Sequence, residues 1–277
     1  MNSFQPNDEL KQNYYGKDLT AKSTWYSEVA NAYDKVRPRY SNELIDFAIE
    51  YTRLSASNRI LEIGCGSGIA TTSFASREFT VTSLEPNFQA CQLARKNCAA
   101  YSKVRICQTT LEEYSLDSQQ FDAVLAATSI HWVDPSIGYP KIAKVLKKDG
   151  YLILLWNAGL KPEENLYRLL KPIYEAHTPS LKPFKTISDE RSELQALLQN
   201  IINSGYFYHL LSKELIVTVD YSLKDYLLLL STYSPYIALE KTQRQSLFTA
   251  LEECLQKACG NSLSLSYLSM LQVLKVN

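Results

Sequence analysis

The chain has 277 residues, with 29 lysines and arginines balanced by 29 aspartates and glutamates, and 45% of it is hydrophobic. That balance leaves no electrostatic footprint for nucleic acid or an anionic membrane surface, and no apolar run approaches a membrane-spanning length. The opening MNSFQPNDELKQNYYG lacks a signal-peptide core, and six cysteines at 65, 91, 98, 107, 254 and 259 form no C-x-x-C pair beside only three histidines, so a cytoplasmic protein with reduced thiols and no metal is expected.

The length suits one α/β domain over 1–277 with appended elements. Residues 1–20 are polar and aromatic without helical period and read as an arm or short lid; Ser23 to Tyr33 is predicted as a short helix. In the connector Asp34-Lys-Val-Arg-Pro-Arg-Tyr-Ser41, Ser41 is placed to cap a helix from Asn42 to Arg53. Tyr33, Arg37 and Arg39 in this region read either as a solvated connector or as site residues, because guanidinium forks suit carboxylates.

Arg59 to Gly68, RILEIGCGSG, is the centre of the chain. Ile60, Leu61 and Ile63 form an apolar run of the kind buried on both faces of a sheet. Gly64, Gly66 and Gly68 then let the backbone turn and approach a bound molecule before a helix from Ile69 to Ala75. Phe79 to Leu84 is the second strand and ends on Glu85, an acid placed about twenty residues after the glycine turn to accept both hydroxyls of a ribose. A dinucleotide fingerprint would need glycine where Ile69 stands, which disfavours a nicotinamide or flavin enzyme.

Phe88 to Tyr101 is predicted helical, Val104 to Cys107 a strand, and Phe121 to Ala127 the fourth strand, running into Thr128-Ser-Ile-His-Trp-Val-Asp134. A helix from Tyr139 to Lys148 is expected to end at Gly150, with Lys141, Lys144, Lys147 and Lys148 on a solvated face, before strand Tyr151 to Trp156. Residues 158–205, rich in proline and helix formers, read as an insertion over the mouth of the site. Strand Tyr206 to Val219, helices Leu223 to Leu230 and Gln243 to Ala258, and strand Ser262 to Val276 complete the chain.

The alternation E-x-G-x-G-x-G at Glu62 resembles the first motif of class I S-adenosylmethionine-dependent methyltransferases. FDAVLAATSIHWVD and Y-D-x-V-R-P-R-Y resemble the subgroup of small-molecule methyltransferases that includes trans-aconitate methyltransferase. The resemblance implies a Rossmann-like three-layer α/β/α sandwich with a seven-stranded, mostly parallel sheet, strands six and seven paired at one edge, the last strand antiparallel, and a helical cap. The cofactor-binding core would be about 41–157, with cap elements at 1–40 and 158–205 and C-terminal strands and helices at 206–277. It implies S-adenosyl-L-methionine as cofactor, S-adenosyl-L-homocysteine as product, and a small-molecule methyl acceptor, a carboxylate being permitted.

Cofactor contacts would come from Tyr33, Arg37, Glu62, Gly64, Gly66, Gly68, Glu85, Pro86, Asn87, Thr110, Leu111, Glu112, Ala127 and Thr128. Many relatives carry aspartate where Thr110 stands, so adenine would be read by the backbone around Leu111 and Glu112. Acceptor contacts would come from Arg39, His131, Trp132, Tyr233 and Tyr236. His131 is the candidate base, its alternative being a histidine stacked under Trp132 that shapes the pocket. A macromolecular methyltransferase and an inactive cofactor-binding module are the competing readings; for the favoured one a monomer or homodimer is expected, with neither nucleic acid nor membrane as partner.

Overall fold

The computed structural model describes residues 24–115, 117–181 and 185–277, so the expected arm over 1–20 lies outside the described residues. Strand β1, Arg59–Ile63, is central because its residues have no polar face to spare: Ile60 and Leu61 are fully buried and Ile63 nearly so. Alternation along the strand sends Ile60 to one face, with Val81, Ala123 and Ile153, and Leu61 and Ile63 to the other, with Leu84, Val124 and Leu154.

Parallel neighbours flank β1: β2 (Thr80–Leu84) and β3 (Val104–Cys107) on one side, β4 (Phe121–Ala127) and β5 (Leu146–Asn157) on the other. The order is β3-β2-β1-β4-β5-β8-β6, where β8 (Ser262–Val276) runs antiparallel to β5 and β7 (Phe207–Ser222) pairs antiparallel with β8 at the edge. The sheet therefore has eight strands rather than seven; the addition, β6, is the two-residue bridge Lys161–Pro162 on β8. Strand order reverses between β1 and β4, which opens a crevice at their carboxyl ends.

Helices cover both faces. On one, α2 (Asn42–Thr52) and α3 (Ile69–Ala75) bury Leu44, Ile45, Ala48 and Phe74; α1 (Ala30–Val36) precedes them, and α4 (Phe88–Asn97) lies beside β3. On the other, α5 (Pro135–Val145) and α7 (Ile187–Asn203) bury Tyr139, Ile142, Val145, Leu198 and Ile201. Each such large side chain contributes about 1.5–3 kcal/mol when taken from water, so the two clusters hold the three layers together.

Several boundaries differ from expectation for local reasons. Of the helix placed at Ser23 to Tyr33, the described residues from Thr24 onward hold a 3-10 turn, Ser27–Val29, and then α1, which carries the helix on to Val36. Ser41 occupies the N-cap position of α2 but its side chain makes no capping bond; its carbonyl accepts from Ile45 N–H at 3.1 Å. Gly150 does not end a helix: α5 starts earlier, capped by Asp134, and stops at Val145 because Leu146 already pairs with Phe121. Residues 147–150 bulge out before Tyr151 pairs with Ala123, and there Lys147 meets Asp122 at 2.7 Å. Lys141 is drawn inward instead, donating to the Glu112 carbonyl at 2.9 Å.

A third cluster forms a cap. It gathers Leu170 and Tyr174 of α6 (Glu164–His177), Leu223, Tyr226, Leu229 and Leu230 of α8 (Leu223–Ser231), Tyr236 of α9 (Ser234–Ile237), and Leu247, Leu251 and Leu255 of α10 (Lys241–Cys259). The cap thus draws mainly on the segment between β7 and β8. Of the described residues of the expected 158–205 insertion, the first helix joins it together with Leu160 and Leu181, while α7 packs on the sheet.

Candidate functional site

The loops after β1 and β4 meet at the crevice. Gly64 has φ +65°, and a Cβ there would stand 2.9 Å from Ser129 Cβ, so the glycine allows the two loops to touch. Ser129 Oγ donates to the Ile63 carbonyl and fastens that contact. Gly66, φ +56°, has nothing within 4 Å of its Cβ position, and its N–H donates to Glu85 Oε2 at 2.9 Å. Glu85 Oε1 accepts from Asn87 N–H at 2.8 Å, and the Asn87 side chain caps α4 by accepting from Ala90 N–H. Burial pushes the Glu85 carboxyl up, and the two N–H bonds pull it back. Each oxygen keeps lone-pair capacity for a hydroxyl donor.

Behind the turn, Glu62 is buried. Its Oε2 accepts from the Thr71 and Ser83 hydroxyls, while Oε1 has no hydrogen-bond partner among the described residues. Burial pushes this carboxyl up to about 7.

These residues line one cleft of about 1090 Å³. Tyr33, Arg37, Glu62, Gly64, Gly66, Glu85, Pro86, Asn87, Thr110, Leu111, Glu112, Ala127 and Thr128 all reach it, and so do His131, Trp132, Tyr233 and Tyr236. Gly68 and Arg39 do not. Gly68 packs against α4, where a Cβ would approach Cys98 Sγ at 3.3 Å, and Arg39 turns outward, 3.6 Å from Asp34.

Arg37 lies between two rings, 4.7 Å from the Tyr33 centroid and 4.0 Å from that of Tyr233. Its Nε and Nη2 donate to Thr232 Oγ1 and the Thr232 carbonyl, both at 2.9 Å. His131 is tilted, not stacked, against Trp132 (5.7 Å, 43°) and Trp156 (5.9 Å, 33°), and burial pushes its imidazole down to about 4. Thr110 Oγ1 accepts from Glu113 N–H at 3.2 Å.

The cleft also holds residues that the sequence reading passed over: Tyr26, Tyr40, Asn157, Lys161 and Glu190. Lys161 and Glu190 form a buried ion pair at 2.6 Å, each side chain 12% exposed. Only Tyr40 carried a signal, as the last residue of R-P-R-Y; the others come from segments with no motif.

Residues 61–154 match the family described as methyltransferase domain. Over that stretch the chain is similar to a methyltransferase domain. It is 35% identical over 132 residues to an uncharacterized methyltransferase of Mycobacterium tuberculosis, covering 48% of this chain and 51% of that protein, so the match spans about half the length of the relative. A Dictyostelium discoideum protein also named a methyltransferase is 26% identical over 241 residues, covering 84% of this chain and 85% of its own. The ubiquinone biosynthesis O-methyltransferase of Salmonella paratyphi A is 33% identical over 95 residues, covering 33% of this chain and 39% of its own. Among solved structures, a type II methyltransferase from Anaeromyxobacter dehalogenans superposes with a TM-score of 0.61 at 18% identity, covering 86% of this chain and 97% of that one, which is a likeness of fold.

The site fits S-adenosylmethionine by its own chemistry. Gly66 leaves the turn open where a side chain would intrude, Glu85 presents a fixed carboxylate at the end of β2, and the cleft exceeds the usual ~300–1,000 Å³ of a single-ligand pocket. Among the described residues no group of histidines, cysteines and acids is placed to hold a metal, and no helix is long and apolar enough to cross a membrane.

Proposed function

We propose that the protein transfers a methyl group from S-adenosylmethionine to an oxygen or nitrogen of a small organic molecule, carboxylates among them. The observation that carries this reading is the single cleft running from the glycine turn to a chamber walled by Trp132, Tyr233 and Tyr236 under the cap helices. A walled chamber suits a small acceptor better than a protein or RNA, which would call for a broad charged groove. Likeness to a ubiquinone biosynthesis O-methyltransferase supports an oxygen acceptor.

When bound, the cofactor supplies a methyl group already activated on a sulfonium. The chain's own task is then to hold two molecules in line and keep water out. Glu85 receives the ribose hydroxyls, and Thr110, Leu111 and Glu112 border the adenine. Arg37, steadied by Tyr33, Tyr233 and Thr232, takes the carboxylate of the amino-acid end; Glu62 faces its amine. His131, held neutral, is a weak base with a conjugate acid near 4. Such a group orients an acceptor by accepting a hydrogen bond, and an acceptor that arrives already ionised needs nothing more.

The test is calorimetric titration with S-adenosylmethionine and S-adenosylhomocysteine, with NAD as control, on the native protein and Gly66→Arg. Micromolar binding of the two sulfur ligands alone, lost in a variant that stays folded, is the expected result. A folded native protein that binds neither would overturn the reading. A panel of small carboxylic acids, with S-adenosylhomocysteine release as readout, then addresses the acceptor.

A further inference from the structure

Among the described residues, four other than glycine have positive φ: Arg53, Glu78, Gln119 and Thr128. Thr128 stands apart from the other three because it is β-branched, a side chain for which φ +52° is a true outlier, and because it lies in the cleft immediately after β4. Strain of this kind persists only where surrounding contacts over-determine it.

Those contacts are on hand. Tyr40 donates its phenolic hydrogen to Thr128 Oγ1 at 2.9 Å, and Asn157 N–H donates to the same oxygen at 3.3 Å. Thr128 N–H donates to the Leu155 carbonyl at 2.7 Å, with Oγ1 donating to that carbonyl at 3.5 Å. Tyr40 is itself held, since Asn157 Nδ2 donates to the Pro38 and Arg39 carbonyls just before it, at 3.2 and 3.3 Å, and Ser269 Oγ donates to Asn157 Oδ1 at 2.8 Å. Burial pushes the Tyr40 phenol far above its ordinary value, so it stays a donor at every working pH.

Downstream, Ser129 bonds the Ile63 carbonyl and touches the space that a Cβ on Gly64 would need. The backbone angle at Thr128 therefore sets where Ser129 meets the glycine turn.

We propose that Tyr40, assisted by Asn157, is a positioning residue that clamps Thr128 in its left-handed conformation and, through Ser129, sets the glycine turn for the cofactor. This rests on the cofactor reading above. It also explains why the R-P-R-Y segment ends on a tyrosine: Arg37 serves the cleft directly, Arg39 does not reach it, and Tyr40 acts through Thr128.

The experiment is a double-mutant cycle between Tyr40→Phe and Thr128→Gly, read by calorimetry with S-adenosylhomocysteine and by hydrogen exchange of segment 127–132. Glycine adopts positive φ without the β-carbon penalty, so in its background the clamp has nothing to hold. Tyr40→Phe is expected to weaken binding about tenfold, about 1.4 kcal/mol, in the native background and less than about twofold in the Thr128→Gly background. Exchange at 127–132 rises on Tyr40→Phe only where Thr128 is present.

Equal weakening in both backgrounds, or none in either, overturns the proposal, because a merely structural tyrosine would act regardless of residue 128. If the native protein binds no S-adenosylhomocysteine, the cofactor reading fails, and the exchange data alone decide the clamp. Should Tyr40→Phe not fold, Asn157→Ala takes its place, since it frees the Pro38–Arg39 backbone while leaving the Asn157 N–H in position.

Discussion

Replacing Glu62 with glutamine tests the electrostatics behind the glycine turn. In the folded protein desolvation pushes this carboxyl from its ordinary 4.5 to about 7, outweighing the hydroxyls of Thr71 and Ser83, while Glu85 adds repulsion. Below pH 4.5 the group is protonated whether the chain is folded or not. Between 4.5 and 7 the unfolded chain releases the proton while the folded one keeps it, so stability falls as pH rises. Above 7 both states are ionised and the deficit stays constant.

At about 1.4 kcal/mol per pH step the deficit reaches about 3 kcal/mol. Glu62→Gln has no proton to lose, so its stability relative to the native protein should rise by that amount between pH 4.5 and pH 8. The new amide nitrogen, at the place where Oε1 has no partner among the described residues, adds a cost that is the same at every pH and drops out of the comparison. Urea unfolding followed by tryptophan fluorescence is the assay. With a slope of about 3 kcal/mol/M, the midpoint difference between the two proteins should change by about 1 M across this range. A difference that does not vary with pH, or one that favours the native protein at high pH, would refute the account of Glu62 as a desolvated acid.

Gly64→Ala should destabilise the fold by about 3 kcal/mol, combining left-handed backbone strain with crowding against Ser129, whereas Gly66→Ala should cost only about 1 kcal/mol because its Cβ meets open space. Equal losses in urea unfolding would show that the Ser129 contact is not tight. Lys161→Met should cost about 3–5 kcal/mol by leaving the Glu190 carboxylate buried without its cation, and adding Glu190→Met should restore most of that loss. A double variant no better than the single one would mean that the pair matters through packing alone.

Much of the fold could be read locally. The run Ile60-Leu-Glu-Ile63 followed by alternating glycines demands a buried strand and a tight turn whatever surrounds it, because backbone hydrogen bonds and steric limits act between near neighbours. Glu85, at the end of the next strand, was legible for the same reason, since its place follows from strand length. Boundaries were less so: nothing in Lys147-Lys-Asp-Gly150 shows that Leu146 has already entered the sheet, since that depends on its pairing with Phe121.

The site was legible where it lies on those loops and opaque where distant segments meet. Arg37 was singled out for its chemistry, but its anchor on Thr232 is 195 residues away, and Arg39, identical in type and two residues on, turns to solvent. The buried pair Lys161–Glu190 and the bond from Tyr40 to Thr128 leave no periodic trace. By itself the sequence determined the parallel core, the turn and its acid, because these are set by contacts within a few residues. Only the tertiary structure decided which helices cap the cleft, which arginine faces it and what holds Thr128 strained, because those depend on surfaces that meet only after the chain has packed.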